Sequence, residues 1–491
     1  MRIFRRMSFA DSTGDAIPFY HNGQYHIFSL TPPPGTTVYP DRLRTTWEHS
    51  VSSDLIHWKE LPTAIYPGEG DSPDASGVWT GSVVYGEGEY HAFYTGYSLQ
   101  SEFQQTICHA TSKDGVTWKK DSMNPVIKPK TDLYEKLDWR DPYVFYNEDD
   151  HCYWILISAR RLDMPVTRRG CIVLYRSDNL KDWEYYGPVY SPGHTNCPEC
   201  CEMYKMGDNW YLSYSRFSEF VNTIYRISKS PFGPWRKPKH DGIGGRRFYA
   251  AKSLQNDEGR RFYFAWAHDR ADASDKGDWY WGGAFCIPHE VKVRSDGELD
   301  VLLPREYANE MTTPVKWKYK NILGNSQMYG KTTIEMNSIG TCTYGFLEHH
   351  EKHYMLSCQI MPHDANDYFG VILKSDREAS GCLLLEFDVA MQRVSLLSLP
   401  MGVDPFWVQS CQAVPEPTDP GPDGVRVCEK TFLIKNNVPI NLEIIVDHDM
   451  VEIFVGNETA FTYRIYEERE YETGLIAQDS NVKFYDILIK K

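Results

Sequence analysis

The sequence predicts an all-β chain: a five-bladed β-propeller over residues 1–303, a linker over 304–315 and a β-sandwich over 316–491. Three features predict it. An aromatic-rich hairpin pattern recurs through the first two thirds, a Ser-to-Trp spacing follows most of its copies, and the last third alternates apolar strands with polar turns. Aromatic residues make up 14% of the chain, with 33 Tyr and 14 Trp. Flat rings pack well on pleated sheet, so this composition suits β-structure before any sugar-binding role is considered.

The hairpins follow one another along the chain. They read Phe19-Tyr-His-Asn-Gly-Gln-Tyr-His-Ile-Phe28, Val84 to Tyr94 around Gly86-Glu-Gly88, and Val144 to Ile157 around Asn147-Glu-Asp-Asp150. The last two run from Met203 to Leu212 around Gly207-Asp-Asn209, and from Ser253 to Trp266 around Asp257-Glu-Gly259. Each places turn formers between alternating apolar residues, which is a hairpin signal. Ser52 to Trp58, Ser112 to Trp118 and Ser177 to Trp183 share one spacing, and Ser228 to Trp235 is a looser copy. Asp, Asn, Gly or Pro lie between them, as expected for strand, turn and next strand. Two hairpins per unit make a four-stranded blade, and five units of about 50–60 residues make a five-bladed propeller. A generic sandwich would leave the repeated Ser-to-Trp spacing unexplained. After Pro288–Gly297 the repeat stops. Leu442-Glu-Ile-Ile-Val446 and Val451-Glu-Ile-Phe-Val455 are typical of the remainder, which reads as two packed sheets.

A formal net charge of −15 argues against nucleic acid and anionic membranes as partners. The basic start Met1-Arg-Ile-Phe-Arg-Arg-Met7 is followed by no apolar stretch, so no signal peptide or membrane span is expected. The 12 Cys are scattered, which fits reduced thiols in a cytoplasm better than a disulfide framework. Cys197, Cys200 and Cys201 lack a second Cys-x-x-Cys to complete a four-ligand zinc site, so no metal is expected.

A propeller brings the first strand of every blade to one axial pit. Three carboxylates stand where such strands begin: Asp15 in Gly14-Asp-Ala-Ile-Pro18, Asp141 in Trp139-Arg-Asp-Pro-Tyr143, and Glu199 in Asn196-Cys-Pro-Glu-Cys-Cys201. Acids in different environments are what separate roles as proton donor and permanent anion require. Glu199 has no cation beside it in the sequence and reads as the proton donor. Asp141, next to Arg140, reads as the permanent anion.

At these residues the chain resembles glycoside hydrolase family 32, the invertase, inulinase and levanase family. Trp47-Glu-His-Ser through Trp58, Val78-Trp-Thr-Gly-Ser82, Arg140-Asp-Pro142, Glu199-Cys200, Phe248-Tyr-Ala250 and the C-terminal Val451–Val455 with Arg464-Ile-Tyr466 carry the resemblance, with Glu202 where the family usually has Asp. It implies retaining hydrolysis of a terminal fructofuranoside in a short oligosaccharide or disaccharide. Asp15 would be the nucleophile, Glu199 the acid/base and Asp141 a transition-state stabiliser, with no metal or organic cofactor required. Arg140, Trp47, Trp79, Tyr249 and Glu202 would form the sugar subsite. A homo-oligomer is compatible with the resemblance. The first motif departs from the family pattern: Ser12-Thr-Gly-Asp-Ala-Ile-Pro18 keeps the Asp but lacks the family's Trp and Asn residues, and Leu30 stands for a Gln. That departure keeps two alternatives open. One is a fructosyltransferase, a dianhydride-forming enzyme or a hydrolase of another furanoside such as an arabinofuranoside. The other is a non-catalytic sugar-binding protein, which has no need of three positioned acids.

Overall fold

The computed structural model describes residues 3–363, 368–379, 381–399 and 423–491. It is almost entirely β-sheet and divides into two compact units. One holds the chain up to Asp269 together with Trp281–Glu306; the other holds Arg270–Tyr280 and Tyr307–Lys491.

The first unit is the five-bladed propeller. Blade one is the meander Ala16–His21, Gln24–Thr31, Thr46–Ser52, Lys59–Ile65, and blade two is Gly77–Gly86, Glu89–Tyr97, Gln105–Ser112, Lys119–Lys120. Blade three is Tyr134–Asn147, Cys152–Arg161, Gly170–Ser177, Glu184–Tyr190. Blade four has only three continuous strands, Glu199–Met206, Asn209–Arg216 and Asn222–Ser228. Its outer edge is reduced to isolated bridges such as Ile227 with Arg236. Pro231, Pro234 and Pro238 lie in that stretch, and proline cannot donate to a ladder. This explains the looser Ser228-to-Trp235 spacing. Blade five uses Tyr249–Gln255, Arg261–Arg270, His289–Val293 and Leu299–Leu302, with Trp279–Phe285 also paired to Arg261–Arg270. Thr13 and Gly283 exchange backbone hydrogen bonds of 2.9 and 2.7 Å, which ties the N-terminal segment to blade five and closes the ring.

The aromatic excess goes largely into the seams between blades. Ile17, Phe28 and Trp47 pack on Ala92 and Tyr94 between blades one and two, and Trp154 and Leu174 pack on Met203 and Tyr214 between blades three and four. The Ser-to-Trp motif has a local cause. Asp54 accepts from the amides of Ile56 and His57 at 2.9 and 2.8 Å, and Asp114 accepts from those of Val116 and Thr117 at 2.9 and 2.7 Å. Asn179 does the same for Lys181 and Asp182 at 3.0 and 2.9 Å. Ser52, Ser112 and Ser177 each bond that Asp or Asn from two residues before. The side chain thus stands in for a backbone turn and delivers the Trp to the next strand.

The second unit carries two seven-stranded sheets. One runs, in spatial order, Lys318–Leu323, Cys342–Glu348, Tyr471–Gln478, Tyr368–Ser375, Leu383–Asp388, Arg393–Ser398, Arg426–Thr431. The other runs Asn325–Tyr329, Thr333–Asn337, Asn481–Lys490, His353–Pro362, Ile440–Asp447, Met450–Val455, Thr459–Arg464. A short helix, Arg305–Glu310, forms inside the stretch read as linker. Among the described residues no helix is long and apolar enough to cross a membrane.

The turns carry a pH signature. Burial pushes the Asp54 carboxyl up, but the amides of His57 and Ile56 and the His57 ring outweigh it and hold it down to about 2. A depressed folded-state value stabilises the fold above the ordinary Asp range and is lost as pH falls toward 2. Asp54→Ala is therefore expected to lower the melting temperature at pH 7. The gap to wild type should narrow steadily in melts taken toward pH 2.

Candidate active site

Each blade carries one extra residue in or just before its innermost strand, which in blade three lies mid-way along Tyr134–Asn147, so Asp141 does not open its strand as expected. Trp79 pairs with Thr95 and Gly81 with Tyr94, leaving Thr80 unpaired. Two residues oppose one between Arg140 and Tyr143, between Glu199 and Glu202, and between Tyr249 and Lys252. In blade one Gly14 donates to the Leu30 carbonyl at 2.7 Å while Leu30 donates to that of Asp15 at 3.2 Å, so two residues again share one partner. Such bulges re-aim side chains. The strands therefore align with Gly14, Trp79, Arg140, Glu199 and Tyr249 at one level. Asp15, Thr80, Asp141, Cys200 and Ala250 are the next. In blades three to five this second residue is left-handed, with φ of 56° at Asp141, 50° at Cys200 and 51° at Ala250.

The three predicted acids meet at these bulges. Asp15 Oδ1 accepts from Trp266 Nε1 at 2.8 Å, and its Oδ2 accepts from the Thr80 hydroxyl and, at 3.5 Å, from the Cys200 thiol. Asp141 Oδ2 accepts from the Cys200 amide at 2.9 Å, and the Asp141 amide donates to Thr95 Oγ1 at 2.8 Å. Glu199 Oε1 accepts from Arg140 Nη2 at 3.0 Å, and its Oε2 accepts from the Tyr249 hydroxyl. Cys200 thus links all three: its thiol holds Asp15, its amide holds Asp141, and its chain neighbour is Glu199. Asp15 and Asp141 are buried, while Glu199 keeps part of its surface exposed.

The remaining candidates divide. Arg140 and Tyr249 hold Glu199 directly, as above. Trp79 is partly exposed, stacks on Tyr97 with centroids 4.0 Å apart, and is fixed by Nε1 donating to the Leu43 carbonyl at 3.0 Å. Trp47 is fully buried, with Nε1 donating to the Trp79 carbonyl at 2.9 Å, so it orients Trp79 and offers no surface to a sugar. Glu202 is also fully buried. Its carboxylate accepts from the Ser253 amide at 2.8 Å and hydroxyl at 2.9 Å, bracing blade four to blade five. Its place one bulge below Glu199 takes it out of the sugar-contacting set.

The electrostatics differ from what sequence neighbours imply. Glu199 is not remote from a cation, because Arg140 reaches across from blade three. Arg140 spends its guanidinium on Glu199 and Asp138, and only its Nε lies near Asp141, 3.8 Å from Oδ2. Burial pushes the Asp141 carboxyl up to about 7 against that guanidinium, with the negative charges of Glu199 and Asp15 adding to the rise. Arg140 does lower the Asp141 carboxyl, as its place in the sequence implies, but burial and the two neighbouring acids outweigh it. Burial also raises Asp15, opposed by the hydrogen bonds from Thr80 and Trp266. Thr80, Trp266, Cys200 and His268, whose ring lies 4.4 Å from that of Trp266, complete the site. Aligning the starts of the inner strands would have exposed Thr80 and Cys200. Trp266 and His268 sit on second strands, where no local signal marks them. Among the described residues no cluster of His, Cys, Asp or Glu could hold a metal ion.

A raised folded-state value means that stability is present in full below the ordinary Asp range and is lost as pH rises through about 7. Asp141→Asn removes that loss. Its melting temperature should match wild type near pH 4 and exceed it by a margin that grows up to pH 8.

The profile of the Glycosyl hydrolases family 32 N-terminal domain matches residues 16–302, and that of the Glycosyl hydrolases family 32 C terminal matches residues 319–491. Sucrose-6-phosphate hydrolase of Zymomonas mobilis is 27% identical over 298 residues, 56% of this chain and 56% of that protein. The extracellular exo-inulinase of Aspergillus awamori is 23% identical over 531 residues, 95% of this chain and 90% of that protein. The chain spans 56% to 60% of the length of the first curated relatives it matches. Among solved structures, fructan 1-exohydrolase IIa from Cichorium intybus superposes with a TM-score of 0.72 at 19% identity, over 100% of this chain and 97% of that one. Sucrose-6-phosphate hydrolase from Lactobacillus gasseri superposes with a TM-score of 0.71 at 20% identity, over 98% and 90%. With the profiles of one family matching the propeller and the sandwich in turn, the chain belongs to glycosyl hydrolases family 32.

Proposed function

We propose that the chain is a retaining hydrolase of a terminal fructofuranoside in a small oligosaccharide or disaccharide. The observation that carries this reading is the linkage of Asp15, Asp141 and Glu199 through Cys200, two of them buried and one partly exposed. In the first step an Asp15 oxygen bonds to the anomeric carbon while the glycosidic bond breaks and Glu199 protonates the departing oxygen. In the second a water attacks that carbon, Glu199 takes the water's proton, and Asp15 is released as carboxylate. Such chemistry needs the two carboxyl groups about 5–5.5 Å apart. The three hydrogen bonds to Asp15 favour its ionised, nucleophilic form against burial. In this reading Asp141, held by the Cys200 amide, accepts hydrogen bonds from sugar hydroxyls and stabilises the oxocarbenium-like charge. The names of the relatives, which include an exo-inulinase and sucrose-6-phosphate hydrolases, support a fructosyl substrate.

A second reading is favoured by blade one. Gly14 brings no side chain to the pit and Leu30 is buried in the seam, so two polar groups of the usual family pattern are missing. Loss of a specific hydrogen-bonding group changes what a site discriminates. Transfer to a second sugar, or hydrolysis of another furanoside, accommodates that loss.

Chromatography of the products from sucrose, kestose, inulobiose, levanbiose, difructose dianhydrides and aryl arabinofuranosides separates these readings. Free fructose is expected; longer oligosaccharides would support transfer, and pentose release the other furanoside. Asp15→Ala and Glu199→Ala should each cut kcat by about 10³-fold or more, with the fold intact by circular dichroism. Near-wild-type turnover in either would refute the assigned roles. The acid limb of kcat/KM should lie above the ordinary carboxylate range, since Asp15 and Asp141 are both raised and activity is lost as they protonate.

A further inference from the structure

The five residues that open the bulges are Gly14, Trp79, Arg140, Glu199 and Tyr249. Four carry large side chains with a polar atom; blade one contributes none. Its place is not empty. A Cβ built on Gly14 would lie 2.4 Å from Cζ2 and 2.6 Å from Cη2 of Trp281, so the indole occupies the space that any side chain at position 14 would need.

Trp281 arrives from blade five on the strand Trp279–Phe285, next to the bridge between Gly283 and Thr13. Its backbone is pinned on both sides. The Trp281 carbonyl accepts from Arg42 Nε at 2.7 Å, and its amide donates to the Tyr39 hydroxyl at 3.1 Å. Arg42 Nη2 in turn donates to Ser12 Oγ at 2.9 Å, two residues before Gly14. The indole meets Trp266 edge-on at 5.7 Å, and Trp266 is the donor to Asp15 Oδ1. The ring remains partly exposed.

We infer that Trp281 is a specificity-determining residue: an aromatic wall that replaces the side chain of residue 14 beside Asp15. The sugar is then held on that side through an apolar ring face instead of a hydrogen bond. The inference rests on the furanosidase reading and adds the chemistry of one wall. A site with a hydrogen-bonding group there would reject a sugar lacking the matching hydroxyl by about 10⁴-fold or more. An apolar wall discriminates by only about 10–200-fold. The site should therefore accept furanosides that differ on this face.

The test is a double-mutant cycle of Gly14→Ala and Trp281→Ala on the best substrate of the panel, with Trp281→Phe beside them and melting curves for all. Trp281→Ala should raise KM about tenfold with a smaller change in kcat, and Trp281→Phe should stay within about threefold of wild type. Gly14→Ala should impair wild type but cost nothing further in the Trp281→Ala background, because the clash has gone. A KM within about twofold of wild type in Trp281→Ala, or additive costs, would overturn the inference. If Trp281→Ala does not fold, Trp281→Leu keeps apolar bulk without the ring and carries the same comparison. If wild type turns over no furanoside, the furanosidase reading fails by itself. Calorimetric titration of D-fructose into wild type and Trp281→Ala then decides the wall: affinity weakened about tenfold supports it, and no difference overturns it.

Discussion

The site depends on one backbone device, the extra residue that each inner strand carries beside the pit. A regular strand would alternate its side chains between the two faces of the blade. The bulge breaks that alternation and lets two successive residues bear on the axial pit. In blades three to five it requires a left-handed residue that is not glycine, which costs roughly 1–2 kcal/mol at each position. The strain is offset by local bonds. The Asp141 amide finds Thr95 Oγ1, the Cys200 amide finds Asp141 Oδ2, and the Ala251 amide finds Thr223 Oγ1 at 3.1 Å. The Asp141 carboxylate of blade three thus holds the strained turn of blade four.

This coupling explains how three acids share one site. Each buried charge is costly unless hydrogen-bonded or paired. Here Arg140 is shared between Glu199 and Asp138, the thiol and amide of Cys200 serve Asp15 and Asp141, and Thr80 and Trp266 complete Asp15. The arrangement leaves the acids with unequal environments, the condition under which neighbouring acids can take different protonation states. The second layer is structural. Glu202 and Lys252 occupy equivalent positions one step below, buried, with Glu202 bound to Ser253 and Lys252 Nζ donating to the Gly81 carbonyl.

Blade one breaks the pattern of its neighbours. Its bulge opens with glycine, and an indole from blade five fills the gap where ring closure brings the two blades together. The first and last blades of a propeller are joined by strands far apart in sequence. A residue lost at one can therefore be compensated in space by the other.

The repeats, the hairpins, the Ser-to-Trp turns and the three acids were legible in the sequence because each arises from local chemistry: turn formers between alternating apolar residues, and carboxylates just ahead of apolar runs. The sequence also determined that both family domains are present, through motifs spread along the chain. Tertiary structure alone decided the electrostatics and the walls. Arg140 lies beside Asp141 in sequence, yet its guanidinium serves Glu199 because the bulge turns successive side chains in different directions. Glu202 and Trp47 carry family-like motifs but are sealed in the seams. Trp266 and Trp281 reach Asp15 and Gly14 from more than 250 residues away, across the closure of the ring. Local pattern specifies where a strand begins and turns; which side chains then meet depends on packing between blades, and no short window of sequence contains both partners.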